Sequence, residues 1–363
     1  MKTAIIHDVF IEFGGAERVL LNFLKIYPDA DIYIPLLRNK WIMLLQQYTH
    51  GKIVSSFFNH IPFIHSASIL LKPFLYLYWE QLDLSKYDLV ISSSHSFSSK
   101  SVITSPDALH ISYIHTPPKY LYTEYNEARA LNHPFLKVIL SPLMSWLRIR
   151  DFTGAQRPDI LIANSKTVQA RIKKYYRRDS IIIYPPVNIP HAVQYGKKRY
   201  YLCVSRLARQ KGTELAIRAC NELGLPLWVV GTGTQEKYLK SIAGPTIKFK
   251  GWIKDEEMGN IYAHGKALLY SSMDEDFGMV PVEAMAHGVS VIAYRSGAIP
   301  EIVVHNRTGI LFDEYSVDAV KKAITRFEKS NISASTCIKR AQFFSEAKFF
   351  QRFHALLKTK FKI

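Results

Sequence analysis

Cysteine is scarce: three residues in 363, isolated at Cys203, Cys220 and Cys337. No C-x-x-C pair exists, which argues against a zinc ribbon and a redox dithiol. A sparse, odd count suits a reducing compartment. Long apolar runs are also lacking. A membrane-spanning helix needs about 20 apolar residues. The best regions are interrupted, 57–79 by Asn59, His60, His65 and Lys72, and 133–147 by Lys137. In the opening MKTAIIHDVF, His7 and Asp8 come too early for the apolar core of a signal peptide. The expectation is a cytoplasmic protein. There is no G-x-G-x-x-G, so the dinucleotide fingerprint is absent. Acidic residues are few, 30 against 47 Lys and Arg, which leaves a net charge of +17. That charge speaks of partners and says little about fold.

What is present is ordinary globular composition, 48% hydrophobic and 21% charged. Disordered, collagen-like and coiled-coil classes are excluded. At roughly 100–200 residues per domain, this length suggests two domains. The basic residues cluster. Residues 166–178 hold six Lys or Arg and no acid, and the last 33 hold seven against Glu346. Each run reads as a solvated helix face or as a patch for an anionic membrane surface. A nucleic-acid partner would suit the charge, but no helix–turn–helix, zinc-finger or RNP signature accompanies it.

Short apolar runs alternate with helical periodicity throughout. Strands are expected at 3–9, 31–37, 87–92, 109–114, 159–163 and 180–184, with helices at 16–27 and 166–177. The aromatic stretch 57–82 reads as helical, broken at Pro62 and Pro73. Residues 185–198 have the composition of a linker. A second series follows, with strands at 200–204, 226–230, 246–250, 266–270 and 290–294. Its helices are expected at 213–223, 235–242, 255–263, 281–287 and 316–330. The fold class is therefore α/β, with two doubly wound parallel-sheet domains. They are expected at 1–190 and 191–340, facing across a cleft, with a terminal helix in 341–363 packing back on the first. Ligands in such sheets sit at the strands' carboxyl ends.

Four loops at those positions carry unusual residues. Gly14-Gly15 precede the first helix, and glycines there let a backbone approach an anion; a plain tight turn is the other reading. In VSRLARQKG, Arg206 and Lys211 precede a helix opened at Gly212, a good diphosphate clamp or simply surface charge. VVGTGTQEKYL, with Gly231, is a short glycine turn. The string SSMDEDFGMVPVEAMAHGVSVIAYRSGAIPEIV is the most informative. It spaces Glu275 and Glu283 by seven residues, turns at Phe277-Gly278 and caps its helix at Gly288. Glu283 is expected in the first helical turn, where it could accept vicinal hydroxyls. Glu275 could accept sugar hydroxyls from the loop. Two helix-capping acids are the bland alternative.

EDFGMVPVEAMAHGVSVIAY resembles the signature of the retaining glycosyltransferases of family 4, which have the GT-B fold. VSRLARQKG is similar to that family's diphosphate loop and VVGTGTQEKYL to its glycine turn. GGAERVL, YDLVISSSH, ISYIHTPPKYLY, ILIANSKTVQARI and IIIYPPVN resemble the bacterial mannosyltransferases of O-antigen and exopolysaccharide assembly. The resemblance spans about residues 3–330. It implies that Arg206 and Lys211 hold a donor diphosphate, Glu283 the ribose hydroxyls and Glu275 the donor sugar. Phe277, Gly278, Met279 and Val280 would line the donor, with Gly231 near it. Gly14 and Gly15 would close on it, and His115 would stand near the reacting sugar. His95 and His115 are acceptor-side candidates, and His7 is a further one. The sequence departs from the family at Ala298, where a second glycine is common, and at Thr234, where the turn often has Pro.

The implied reaction moves mannose from GDP-mannose to a saccharide carried on a polyprenyl diphosphate, at the inner membrane face. The protein would attach there peripherally, through its basic runs and the stretch 57–79. No cofactor or metal is expected, because no Asp-x-Asp motif stands in a donor loop; Asp274-Glu275-Asp276 is the nearest approach. The alternatives are a UDP-sugar donor, an epimerase or phosphorylase of the same fold, and a non-catalytic subunit.

Overall fold

The short apolar runs become parallel strands. In the computed structural model, which describes residues 1–61, 64, 71–122, 134–193 and 195–361, the chain divides into two units, Met1–Tyr184 and Pro185–Ile363. The first holds β1 (Thr3–His7), β2 (Asp31–Tyr33), β3 (Ile53–Val54), β4 (Leu89–Ser94), β5 (Leu109–Ile114), β6 (Ile160–Ala163) and β7 (Ile181–Ile182). They pair in the order β3-β2-β1-β4-β5-β6-β7, all parallel. The second unit holds β8 (Tyr200–Val204), β9 (Leu227–Val230), β10 (Ile247–Gly251), β11 (Gly265–Tyr270), β12 (Ser290–Tyr294) and β13 (Gly309–Phe312). Their order, β10-β9-β8-β11-β12-β13, is again all parallel.

Parallel sheets need cover on both faces, and β1 and β4 are buried along their whole length. The helix Gly15–Ile26 buries Val19, Leu20, Phe23 and Leu24. The helix Thr213–Leu223 buries Ala216, Ile217, Ala219 and Cys220, and ends at Gly224 in the left-handed conformation (φ +63°). In both sheets the strand order reverses beside the unit's first strand, between β1 and β4 and between β8 and β11. Such a reversal opens a crevice at the carboxyl ends, where ligands bind. The three cysteines are free and buried. Among the described residues, no helix is long and apolar enough to cross a membrane.

Several expected boundaries move. Strand 31–37 stops at Tyr33 and strand 3–9 at His7. Part of the stretch 57–82 lies outside the described residues. Its described helix is Lys72–Glu80, which Pro73 starts rather than breaks, since a first-turn proline has no amide to lose. The helices Pro134–Gly154 and Ala334–Gln342 and the strand β13 were not anticipated. The terminal helix expected in 341–363 is Glu346–Phe361, while residues 341–342 end the preceding helix Ala334–Gln342. The break buries Phe344, whose carbonyl accepts the Val187 amide at 2.9 Å.

Helix Pro134–Gly154 is pinned to the loop after β4 by a buried ion pair. Lys100 Nζ lies 2.5 Å from Asp151 Oδ1, with both side chains essentially inaccessible. Ser98 Oγ donates to Oδ1 at 3.0 Å and Tyr122 OH to Oδ2 at 3.0 Å. Removing the carboxylate strands a buried ammonium, which costs about 3–5 kcal/mol. Asp151→Ala is therefore expected to lower the first unit's stability by that amount, read from urea unfolding followed by tryptophan fluorescence.

Candidate functional site

The second unit's charged cluster lies at the β8/β11 crevice. After β8, the loop carries exposed Arg206 and half-buried Lys211. Gly212 (φ +64°) caps the next helix, and a Cβ there would collide with the Ser271 carbonyl, so this loop sits directly on the loop after β11. The glycine turn braces it from the other side. Leu207 donates its amide to Thr232 at 2.9 Å, and a Cβ at Gly231 (φ +122°) would strike the Ser205 carbonyl. The structure thus gives Gly231 a packing role beneath the Arg206 loop.

Glu275 is the centre of this cluster. Its Oε2 accepts from Lys211 Nζ at 2.7 Å, Tyr270 OH at 2.7 Å and Ser272 Oγ at 2.6 Å. Burial alone raises its pKa; the Lys211 charge and these hydrogen bonds outweigh burial and hold the carboxyl below its ordinary value. Oε1 receives none of these donors. The third loop clamps the same residue. Ala298 donates its amide to the Glu275 carbonyl at 2.8 Å. A Cβ at Gly297 (φ +55°) would collide with the Glu275 backbone, which explains why this glycine is present where Ala298 is tolerated.

The helix Met279–Ala286 begins at Gly278 (φ +94°), with no side chain capping it. Its first amides are thus a natural anion site beside Glu275. Because the helix starts at Met279 rather than 281, Glu283 falls in the second turn, not the first. Met279 and Val280 are half-buried in the first turn. Phe277 needs a correction as well. Its ring is buried edge-on against Phe344, at 5.6 Å between centroids, so only its backbone can reach a ligand.

The first unit has its own polar cluster at the β1/β4 crevice. His7 Nδ1 lies 3.0 Å from Ser93 Oγ, which lies 2.8 Å from His115 Nε2. His7 Nε2 is 3.7 Å from Glu17 Oε1, and Glu17 Oε2 accepts the Gly14 amide at 2.8 Å. Burial, with smaller contributions from His95 and His7, drives the His115 pKa well down and keeps it neutral. Asp8 accepts the amides of His95, Phe97 and Ser99 at 2.7–2.8 Å. Burial raises its pKa, but His95 and these bonds prevail and push it down to about 2. His95 Nδ1 stands 3.7 Å from that carboxylate, and burial lowers the His95 pKa.

Gly14, Gly15, His95 and His115 thus gather in the first unit, and Arg206, Lys211, Glu275, Gly278 and Glu283 in the second. Tyr270, Ser272, Asp8, Glu17 and Ser93 went unremarked in the sequence. Two signals were there: Glu17 stands three residues after Gly14, as in a capping box, and YDLVISSSH ends an apolar strand in buried serines. Among the described residues, no group of three His, Cys, Asp or Glu could hold a metal ion.

Two Rossmann-like parallel-sheet units with polar loops at the carboxyl ends of their strands define the GT-B architecture. Residues 187–343 match the family described as glycosyl transferases group 1. Over that stretch the chain is similar to this family, and its fold as a whole is similar to that of solved glycosyltransferases. A GDP-mannose-dependent alpha-(1-6)-phosphatidylinositol monomannoside mannosyltransferase of Mycobacterium tuberculosis is 32% identical over 146 residues, covering 36% of this chain and 38% of that protein. Human alpha-1,3/1,6-mannosyltransferase ALG2 is 26% identical over 231 residues, 52% of this chain and 55% of that one. The chain therefore matches between a third and just over half of these relatives' length. Anabaena HepE, solved in complex with UDP-glucose, superposes over 99% of this chain and 100% of its own, with a TM-score of 0.73 at 19% identity. That likeness is one of fold.

The Glu275 cluster has a pH signature. Its folded pKa lies below the unfolded one, so its stabilisation is full above the ordinary value of 4.5 and fades as pH falls through the lower folded value. The difference in thermal stability between wild type and Glu275→Gln is expected to be constant near neutrality and to shrink on acidification below that point.

Proposed function

We propose that the chain is a retaining glycosyltransferase that moves mannose from GDP-mannose to a lipid-linked saccharide acceptor in surface-polysaccharide synthesis. The observation that carries this is the Lys211–Glu275 arrangement: a cation and a carboxylate with one open oxygen, beside an uncapped helix N-terminus. Arg206, Lys211 and the amides at Gly278 and Met279 suit a diphosphate. Glu275 Oε1 suits sugar hydroxyls, and Glu283 the ribose hydroxyls. The first unit, with His115 and His95, suits the acceptor.

The bond between the anomeric carbon and the diphosphate oxygen breaks, and the acceptor hydroxyl adds to the same face. Its proton passes to the leaving phosphate. Charge grows on that phosphate, so fixed cations and amides lower the barrier most. The mannosyltransferase names of the mycobacterial and human relatives support the sugar. A second reading, a UDP-sugar donor, is favoured by the UDP-glucose in the HepE complex.

A lipid-linked acceptor calls for membrane contact. The helix Pro134–Gly154 supports it by exposing Phe135, Val138, Ile139, Ile149 and Phe152, spaced as one stripe and 40–72% accessible. Apolar side chains set against a net charge of +17 suit an anionic membrane surface. Of the stretch 57–79, residues 62–63 and 65–70 lie outside the described residues; Phe57, Phe74 and Leu77 in it are exposed.

Two outcomes follow. Purified protein, without added metal and with a lipid-linked acceptor extract, is expected to turn over GDP-mannose in a panel of GDP- and UDP-sugars. Lys211→Ala or Glu275→Ala should lower kcat/KM by about two to three decades. Turnover of a UDP-sugar instead changes the donor, and turnover of none removes the catalytic reading. Separately, Val138→Asp with Ile149→Asp should weaken flotation with anionic phospholipid vesicles while donor hydrolysis stays at the wild-type rate. Unchanged flotation would remove this helix from the membrane contact.

A further inference from the structure

We propose that Glu17, His7 and Ser93 act as positioning residues that fix the tautomer of His115, placing its proton on Nε2 and leaving Nδ1 as a hydrogen-bond acceptor. The proposal rests on the glycosyltransferase reading for its purpose, but its geometry stands alone.

The argument starts from the carboxylate. An ionised Glu17 can only accept. One oxygen is taken by the Gly14 amide, and the other faces His7 Nε2 at 3.7 Å in a buried setting. A neutral ring turned the other way would aim a nitrogen lone pair at the carboxylate, so the His7 proton sits on Nε2. At 3.7 Å the carboxylate acts on the ring through its charge, with no hydrogen bond between them, and the ring is neutral in the arrangement proposed. His7 Nδ1 is then an acceptor, and Ser93 must donate to it across 3.0 Å. A serine hydroxyl has one hydrogen. Having spent it on His7, Ser93 Oγ can only accept from His115 across 2.8 Å, so Nε2 of His115 carries the proton.

The other groups around this chain are Asp8, whose carboxylate is taken up by backbone amides, and His95, with its ring centroid 6.3 Å from His7 and 6.2 Å from His115. The Asp8 amide donates to the Ser93 carbonyl at 3.3 Å, and neither the Asp8 carboxylate nor the His95 ring hydrogen-bonds the side chains of His7, Ser93 or His115, so neither competes for the hydroxyl. The chemical consequence is selective. A lone pair on Nδ1 accepts from a sugar hydroxyl and repels a phosphate oxygen, so the group met by His115 is a hydroxyl. The carboxylate that orients His7 also holds the Gly14 amide, so the glycine loop and His115 share one anchor.

The test is spectroscopic. Protein labelled with ¹⁵N at histidine is studied at neutral pH by long-range ¹H–¹⁵N correlation, with His7 and His115 assigned from the signals lost in His7→Gln and His115→Gln. Both rings are expected neutral and protonated on Nε2. Ser93→Ala should leave His7 as it was and convert His115 to a mixture of tautomers. Ser93→Thr, which keeps the hydroxyl, should restore a single form. In turnover, Ser93→Ala should lower kcat more than it alters the donor KM. A proton on Nδ1 of His115, a doubly protonated His7, or a His115 spectrum indifferent to Ser93→Ala would each overturn the proposal. The spectra need no substrate, so failure to turn over any donor would overturn the enzymatic reading and leave this result readable.

Discussion

In a parallel sheet all strands point one way, so the loops leaving their carboxyl ends emerge along one edge. That constraint organises everything else in this protein. Where the strand order reverses, adjacent loops come from strands far apart in sequence. Beside β8 lies β11, so the loop holding Lys211 meets the loop holding Glu275, 64 residues later. Beside β1 lies β4, so His7 meets Ser93 across 86 residues.

The two crevices then treat charge differently. In the second unit, Lys211 and two hydroxyl donors, Tyr270 and Ser272, keep a half-buried carboxylate ionised, with one oxygen uncommitted. In the first, burial keeps His115 neutral, while the carboxylate of Asp8 is stabilised by amides of the β4 loop. Under the proposed function, the former would meet a negatively charged leaving group, and the latter would recognise hydroxyls by direction rather than by charge. Buried polar groups are costly unless bonded, and both crevices meet that demand with partners drawn from neighbouring loops.

Much of this was legible in the chain. Alternating apolar runs and helical periodicity announce two doubly wound sheets, because buried parallel strands are short and apolar throughout. The close approach at Gly297 is legible in the chain, and Gly212 is legible as the opening of a helix, though not its contact with the Ser271 carbonyl. The partners of Glu275 were not, because Tyr270 belongs to the strand's periodicity and Ser272 looks like any loop residue. The helix Met279–Ala286 starts two residues early because Gly278 adopts a positive φ that spacing does not reveal. Helix Pro134–Gly154 was hidden by its exposed apolar stripe and its internal Pro142, which blur amphipathic periodicity.

By itself, then, the sequence determined the local matters: which segments extend or coil, which loops hold glycine beside charge, and the Glu-x7-Glu string that carries the family resemblance. These follow from neighbouring residues and from burial patterns of short period. Tertiary structure alone decided which oxygen of Glu275 is occupied, that Phe277 faces the core, and that Glu17, His7, Ser93 and His115 stand in line. Those outcomes depend on strand order and on rotamers set by residues far away in the chain, and no local pattern encodes a hydrogen bond between two side chains 86 positions apart.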